Sequence, residues 1–564
     1  MIDLEDFNEK LVDFGYSCPN DEDIGAKLNE IAQHYDIGED ELADEVTTVL
    51  LNTKKSSVDE NVLSELESEL DKKLQKAIDA KKAAKKSRPA LADRTLAVIG
   101  KQSDQNISVL DETIVSANAV TGKYADFSPY PDSPSNSSFL KRAIDENPVV
   151  TVVGAKYKKL ETAKTCEITV VSQVPKQQYG GEKISNVIED CLRSISEAAQ
   201  RIKEANPEIT EWGNATKPSS NPVYAYGEVV KRPKHEGKLS EDSTCLLLDD
   251  ENGKILSLDV SQVTDLTLFP GQRIAVKGLN ETGETLVVEK IFHPPELYPL
   301  PIDGSSNGAS IEVWCAAGPF TSSENCAYEQ LCELLDKAAK KEPTVLILTG
   351  PFLDRKNKFL QSADFRIRNA ILFDELLTNI AKKLQGSKTK IVIQPSSQRD
   401  VTVPPVFPAP AFQHNGIKNV HFVPEPCVLQ LNNGVRIAVS NSEIVAHLSK
   451  DEWNQSPNQE NQDRIGRLFS HILTERSLYP LKPPAISATL ESEVCRLEEA
   501  PHLIILPSVL PPVVKKVGRS VFVNPGPLAK GSSGTFVTSS INIPAEGIHT
   551  GDISNTCSFS ILKI

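Results

Sequence analysis

Thr344-Val345-Leu346-Ile347-Leu348-Thr349-Gly350-Pro351-Phe352-Leu353-Asp354 is the stretch on which the fold turns. Its apolar half is strand-sized, far short of the ~18–20 residues a membrane helix needs, and Gly350-Pro351 breaks it. A helical stripe follows at Ile367, Ile371, Leu372, Leu376, Leu377 and Ile380. Working outward, the same unit recurs. Upstream, a strand at Ile311–Ala316 ends in Ala317-Gly318-Pro319-Phe320 and precedes a helix near Cys326–Lys340. Downstream, a strand at Lys390–Ile393 runs into Gln394-Pro395-Ser396-Ser397-Gln398-Arg399-Asp400 and a Pro-rich loop. Further strand runs lie near Val420–Val423, Val435–Val439, Leu503–Leu506, Ser520–Val523, Thr535–Thr538 and Ser558–Ile564, with a helix stripe at Ile465, Leu468, Ile472 and Leu473. Alternating strands and helices predict an α/β domain over residues 301–564, its sheet layers covered by helices.

Ahead of this domain the period falls to two. Val223–Val229, Thr244–Leu248, Ile255–Val260, Arg273–Gly278 and Thr285–Ile291 read as short strands, with Asn252-Gly253 and Thr282-Gly283 as turns. They predict a small OB-type β-barrel. A helix stripe at Ile184, Val187, Ile188, Cys191, Leu192, Ile195 and Ile202 precedes it, and residues 147–300 are drawn as one domain. Residues 219–293 hold eight Lys/Arg against twelve Asp/Glu and few aromatics. Single-strand binding wants a positive groove lined with stacking rings, so a protein partner suits this barrel better. Tyr224 and Tyr226 alternate onto one strand face, the place of a core pair.

Residues 81–146 are Ser/Asn/Pro-rich and read as a flexible linker. Its basic start, Lys81-Lys82-Ala83-Ala84-Lys85-Lys86-Ser87-Arg88, reads either as nuclear targeting or as a solvated helix end. Ser128 and Ser133, each before proline, are candidate phosphorylation sites, and Ser-Pro is equally plain turn chemistry. Residues 1–80 read as a helical bundle. Leu4, Phe7 and Leu11 mark one face; Ile24, Leu28 and Ile31 a second; Leu42, Val46 and Val49 a third; Leu63, Leu66, Leu70 and Leu74 a fourth, opened by a Ser57/Glu60 capping box.

At 564 residues the chain has room for three or four domains, here a multidomain α+β organisation, and 39% hydrophobic with 24% charged residues suits a folded soluble protein. The acidic start Met1-Ile2-Asp3-Leu4-Glu5-Asp6 lacks the order of a secretion signal, so the expectation is an intracellular chain. The ten cysteines contain no CxxC and read as reduced, small hydrophobes. Residues 1–70 carry twenty Asp/Glu against four Lys/Arg, a balance that equals the net charge of the whole chain, −16. Such a chain does not bind duplex DNA by bulk charge. The acidic head is either a docking module or a solvated surface.

Ligands of α/β sheets gather at the carboxyl ends of strands. The loops there resemble, in order and spacing, those of two-metal calcineurin-like phosphoesterases, which run D-x-H, G-D-x-x-D, G-N-H-[DE], a lone His and G-H-x-H. Two divalent cations need a dense set of carboxylates and imidazoles. Here the first loop, with Gly318 and Pro319, has neither Asp nor His. The second keeps Gly350 and Asp354 but has Pro351 where the bridging carboxylate would stand. The third offers Arg399 and Asp400, and Asn524-Pro525-Gly526-Pro527-Leu528 contains no imidazole. Asp354, Asp400 and His447 cannot hold two metals, so no catalytic, metal or cofactor residue is assigned. Arg399 beside Asp400 is expected to form an ion pair fixing its loop. Phe320 and Phe352 are expected to fill the space the metals left.

A scaffold emptied in this way, behind an OB-type barrel, resembles the B (accessory) subunits of the replicative DNA polymerases, most closely those of the DNA polymerase alpha–primase complex. The matching pieces run in order: Leu268-Phe269-Pro270-Gly271-Gln272, Ala317-Gly318-Pro319-Phe320, Leu348–Asp354, Ser397-Gln398-Arg399-Asp400-Val401, Glu425-Pro426-Cys427, Ile472–Leu481 and Val523-Asn524-Pro525-Gly526. The family's P-S-x-R-D segment carries one extra residue here. The resemblance implies a nuclear, non-catalytic scaffold without cofactor. Its OB and inactive phosphoesterase domains would hold the C-terminal domain of the catalytic subunit, alongside the small and large primase subunits. The helical head would dock replisome proteins, and DNA would be met only indirectly, with no membrane. The alternative is the accessory subunit of polymerase delta or epsilon.

Overall fold

The computed structural model describes parts of residues 7–70 and most of 148–564. The 81–146 linker, with Lys81–Arg88, Ser128 and Ser133, lies outside the described residues, as do shorter stretches such as 173–180 and 456–462. The chain divides into two compact units, Met1–Thr113 and Ile114–Ile564.

In the first unit, α1 (Glu22–Tyr35) and helical residues at 7–8, 42–43, 46–47, 49–50 and 61–68 surround a core that includes Phe7, Leu11, Leu28, Ile31, Leu42, Val46, Leu63 and Leu66. Each comes from an i, i+3, i+4 stripe, so one face of each segment is covered, and Glu65 and Glu67 stand exposed on the opposite side of theirs. The helical stretch at 61–68 is entered through Asp59, whose Oδ1 accepts from Val62 N at 2.9 Å. Asp59, rather than Ser57, therefore supplies the cap. Glu60 lies outside the described residues.

The second unit starts with β1 (Val150–Val153), β2 (Ile168–Val170) and α2 (Ile184–Ala205). The barrel follows: β3 (Val223–Lys231), β4 (Thr244–Leu248), β5 (Ile255–Asp259), then β6 (Leu266–Leu268) outside the ring, β7 (Arg273–Leu279) and β8 (Thr285–Phe292). It closes in the order β3-β4-β5-β8-β7. Alternation decides its faces: Ala225, Val229, Ile274, Val276, Leu286 and Val288 point in. Tyr224 and Tyr226 therefore point out, and they pack around the barrel's outer wall with Trp212, Phe292 and Ile202 of α2.

The α/β body carries β9 (Ala309–Ala317), α3 (Glu329–Lys341), β10 (Val345–Thr349), α4 (Asn369–Lys383), β11 (Lys390–Gln394), β12 (Val420–Phe422), β13 (Cys427–Leu431), β14 (Arg436–Val439), α5 (Ile444–Asp451), β15 (Trp453–Gln455) and α6 (Arg464–Thr474). It ends with β16 (Leu503–Ile505), β17 (Val513–Val517), β18 (Ser520–Asn524), β19 (Thr535–Ile543) and β20 (Cys557–Lys563). Two sheets form, ordered β1-β20-β19-β9-β10-β11-β12 and β17-β18-β16-β14-β13-β2. Their facing sides interlock through Val313, Cys315, Val345 and Ile347 on one and Leu429, Ile437, Leu503 and Val521 on the other. Trp314, Leu346 and Leu348 turn the opposite way, onto α3 and α4. Ala438, Ile504 and Phe522 likewise meet α5 and α6. Central strands covered on both faces must be apolar throughout, which is why Val345–Leu348 shows no alternation.

β1 pairs with β20 and β2 with β13. Residues 150–170 thus belong to the α/β sheets, and the 147–300 boundary is corrected: α2 and the barrel begin near residue 184. A strand of three or four residues has too little period to announce which sheet will take it. β15 pairs with β6, tying the barrel to the α/β body. No helix among the described residues is long and apolar enough to cross a membrane.

Candidate functional site

β9, β10 and β11 are parallel neighbours, so their carboxyl ends deliver three loops side by side. The loops bind one another directly. Gly318 N donates to Thr349 O at 2.8 Å, Gly350 N to Gln394 O at 2.8 Å, and Leu528 N to Ala317 O at 2.8 Å. The two glycines are required by closeness. A Cβ on Gly318 would run into the Pro351 carbonyl, and one on Gly350 into the Asp400 carboxylate and Ser396 N. Both Gly-Pro peptides, Gly318-Pro319 and Gly350-Pro351, are cis.

Asp400 is fully buried and serves the backbone. Its Oδ1 accepts from Phe352 N (2.5 Å) and Leu353 N (3.1 Å), its Oδ2 from Ser396 N (2.7 Å). Burial pushes its carboxyl up to about 7, against the pull of those three N–H groups. Asp354 faces outward by comparison and takes Arg399 as a fork, Nε to Oδ1 at 3.2 Å and a terminal nitrogen to Oδ2 at 2.5 Å. The ion pair expected between Arg399 and its neighbour Asp400 is therefore corrected. The partner is Asp354, because the Asp400 side chain turns inward to the loop backbone and leaves the guanidinium on the other side.

Sequence reasoning passes over three side chains here. Glu425 is fully buried, its Oε2 accepts from Ser397 N at 2.6 Å, and burial raises its carboxyl to about 7. Asn441, after β14, donates to Gly350 O at 2.5 Å. Gln394 donates to Pro424 O (2.9 Å) and Val439 O (3.0 Å), joining the two sheets. The polar run Ser440-Asn441-Ser442 at a strand's carboxyl end is the available signal for Asn441. Asn524 holds its own turn, accepting from Ser508 N and Gly526 N at 3.0 Å each, with Pro525 O bonded by Thr535 Oγ1.

Phe320 and Phe352 are buried with ring centroids 4.9 Å apart. They belong to the helix-side core, with Phe352 also against Phe373 of α4 and Phe412. The Asp400 carboxyl and the Asn441 amide reach the loop backbones at Phe352, Leu353, Ser396 and Gly350. His447 sits on α5 and bonds Tyr479 Oη at 3.1 Å, apart from Asp354 and Asp400. Among the described residues no three His, Cys, Asp or Glu side chains gather so as to hold a metal ion.

Three family models match. They describe the N-terminal region of the DNA polymerase alpha B subunit over residues 5–73, the OB domain of the same B subunit over 185–294, and the DNA polymerase alpha/epsilon B subunit over 313–515. The DNA polymerase alpha B subunit of Caenorhabditis elegans is 39% identical over 100% of this chain and 99% of its own length. The one from Mus musculus is 32% identical over 63% of this chain and 60% of the relative. The one from Saccharomyces cerevisiae is 24% identical over 64% and 59%. A crystal structure of a single mutant of Vps29 from Entamoeba histolytica aligns to 45% of this chain and 98% of its own at 11% identity, with a TM-score of 0.20, too low to carry an argument.

Proposed function

The chain belongs to the B-subunit family of DNA polymerase alpha and has the accessory-subunit role, and on that premise we propose that its strand-end loops form a closed, non-hydrolytic platform. One observation supports this most directly: the acids at the strand ends are held by the protein's own groups. Asp400 and Glu425 accept backbone N–H bonds and Asp354 is held by Arg399, so the remaining donor set does not suit a two-cation centre. Gly318, Pro319, Gly350, Pro351, Asn524, Pro525 and Gly526 then act as vestigial phosphoesterase loops, structural turns in place of ligand loops.

In this reading the barrel and the α/β body hold the C-terminal domain of the catalytic subunit within the polymerase–primase complex, in the nucleus. A helical bundle over residues 1–80 docks other replisome proteins, and Ser128 and Ser133 of the 81–146 linker are the candidate phosphorylation sites. The delta or epsilon alternative has against it two family models named for alpha alone.

Two assays test the proposal. Purified chain with manganese is expected to leave bis(p-nitrophenyl) phosphate intact, and hydrolysis abolished by Asp400→Asn would refute the platform. Co-expression with the polymerase alpha catalytic subunit is expected to yield a complex that survives size exclusion, identified by mass. Selective capture of a delta or epsilon chain would refute the assignment.

A further inference from the structure

A different set of charges lines the seam where α2 and the barrel meet the segment after α6. Most of it is paired. Glu197 of α2 holds Arg496 at 2.8 Å, Arg193 holds Glu493 at 2.7 Å, buried Glu228 takes Lys482 at 2.7 Å, and Arg273 of β7 meets buried Glu475 at 3.3 Å. Two guanidiniums are left over. Arg201 follows Glu197 by one helical turn and so faces the same segment. Arg476 follows Glu475, and its neighbour Ser477 bridges to Arg496. Neither has a hydrogen bond or ion pair through its side chain among the described residues, and in both the Nε is cut off from solvent without an acceptor. Glu475 and Glu197 add negative charge near Arg201, and Glu197 near Arg476, but neither carboxylate hydrogen-bonds to them.

This arrangement works against the fold. Burial, joined by the like charge of the nearby Arg476, pulls Arg201 down to about 10. Desolvating an unpaired cation is costly. Arg476 also sits in the left-handed region, φ 52°, with its carbonyl pinned by Leu497 N at 2.8 Å. A bulky residue held there costs free energy of its own, a pattern that collects at binding sites.

We infer that Arg201 and Arg476 form a clamp for one side-chain carboxylate of a partner polypeptide. A carboxylate fits the paired forks in geometry and brings a single charge. A nucleic-acid strand would have to lay successive phosphates past Glu197, Glu493 and the acidic barrel. The inference rests on the accessory-subunit reading, in which a large partner covers this face.

The test uses the full chain with the polymerase alpha catalytic subunit. In the free chain phenylglyoxal should modify Arg201 and Arg476, and in the complex both should be protected. The Arg201→Ala/Arg476→Ala double variant should bind the partner about tenfold more weakly or worse, as expected for arginines at the centre of an interface. Its free-chain melting temperature should be unchanged or higher, an outcome that a purely structural role would not produce. Wild-type affinity in the double variant, or continued reactivity of both arginines in the complex, overturns the clamp. So does protection by oligothymidylate in place of the partner, which would assign the site to phosphate. Failure of the wild-type chain to form any complex refutes the subunit reading itself, a separate result.

Discussion

The strand-end loops and the barrel seam use the same residue types to opposite ends. In the loops, Asp400, Glu425 and Asp354 are each held by backbone N–H groups or by Arg399. Each region keeps one buried carboxylate oxygen unpartnered, Glu425 Oε1 in the loops and Glu475 Oε1 at the seam. The difference lies in the cations: at the seam Arg201 and Arg476 each bury an Nε without an acceptor. A polar group fully satisfied within its own chain adds rigidity and has nothing left to offer a ligand. A group left short is a cost to the fold and an opening for another molecule. The strand-end loops are thus the region whose acids answer to their own chain, and the seam is the one that carries unmatched cationic charge.

The comparison can be broken most forcefully at Arg273. Arg273→Ala leaves Glu475 buried without its cation and should lower stability by about 4 kcal/mol in denaturant unfolding, since breaking a buried pair exposes the full desolvation penalty. A loss under about 1 kcal/mol would mean that the seam is looser than described, closer to a surface pair. Next is Gly350→Ala, where a Cβ must displace the Asp400 carboxylate and Ser396 N. About 3 kcal/mol is expected for such forced overpacking, read by the same unfolding curves. A tolerated alanine would show that the loops are not in contact as described.

Smaller effects sharpen the contrast. Arg399→Ala removes a partly exposed fork from Asp354 and should cost about 1 kcal/mol, screened further by salt. The smallest is a pH slope. Burial raises Asp400 and Glu425 to about 7 in the fold, so the folded chain keeps protons that the unfolded chain releases above the ordinary carboxylate range. Their contribution is fully present below that range and is lost as pH rises through about 7. Melting temperature should therefore fall between about pH 5 and pH 8, and Glu425→Gln should flatten that fall. Glu452 runs the other way. Burial would raise it, but Arg467 and His471 prevail and lower it to about 2, so its contribution stands above the ordinary range and fades only as acid approaches 2.

Much of this is legible in residues alone. The apolar run Val345–Leu348, ended by Gly350-Pro351, places a strand and its loop, and the alternation in Thr244–Leu248 and Thr285–Phe292 places the barrel. The want of Asp and His in Ala317–Phe320 and Asn524–Leu528 is equally plain. Short strands are harder. Val513–Val517 and Cys427–Leu431 escape a reading of local pattern, which also sets β1 and β2 beside the wrong domain.

The sequence by itself determined the order of elements, the two kinds of domain and which ligand side chains are missing, because periodicity and residue type are local properties. Only the tertiary structure decided that Arg399 reaches Asp354 and not its neighbour, that Tyr224 and Tyr226 face outward under α2, and that Arg201 and Arg476 come close enough across the seam to feel each other's charge. Those pairings depend on which way a loop turns and which face a helix covers. Both are settled by packing between residues tens or hundreds of positions apart, where no local pattern reaches.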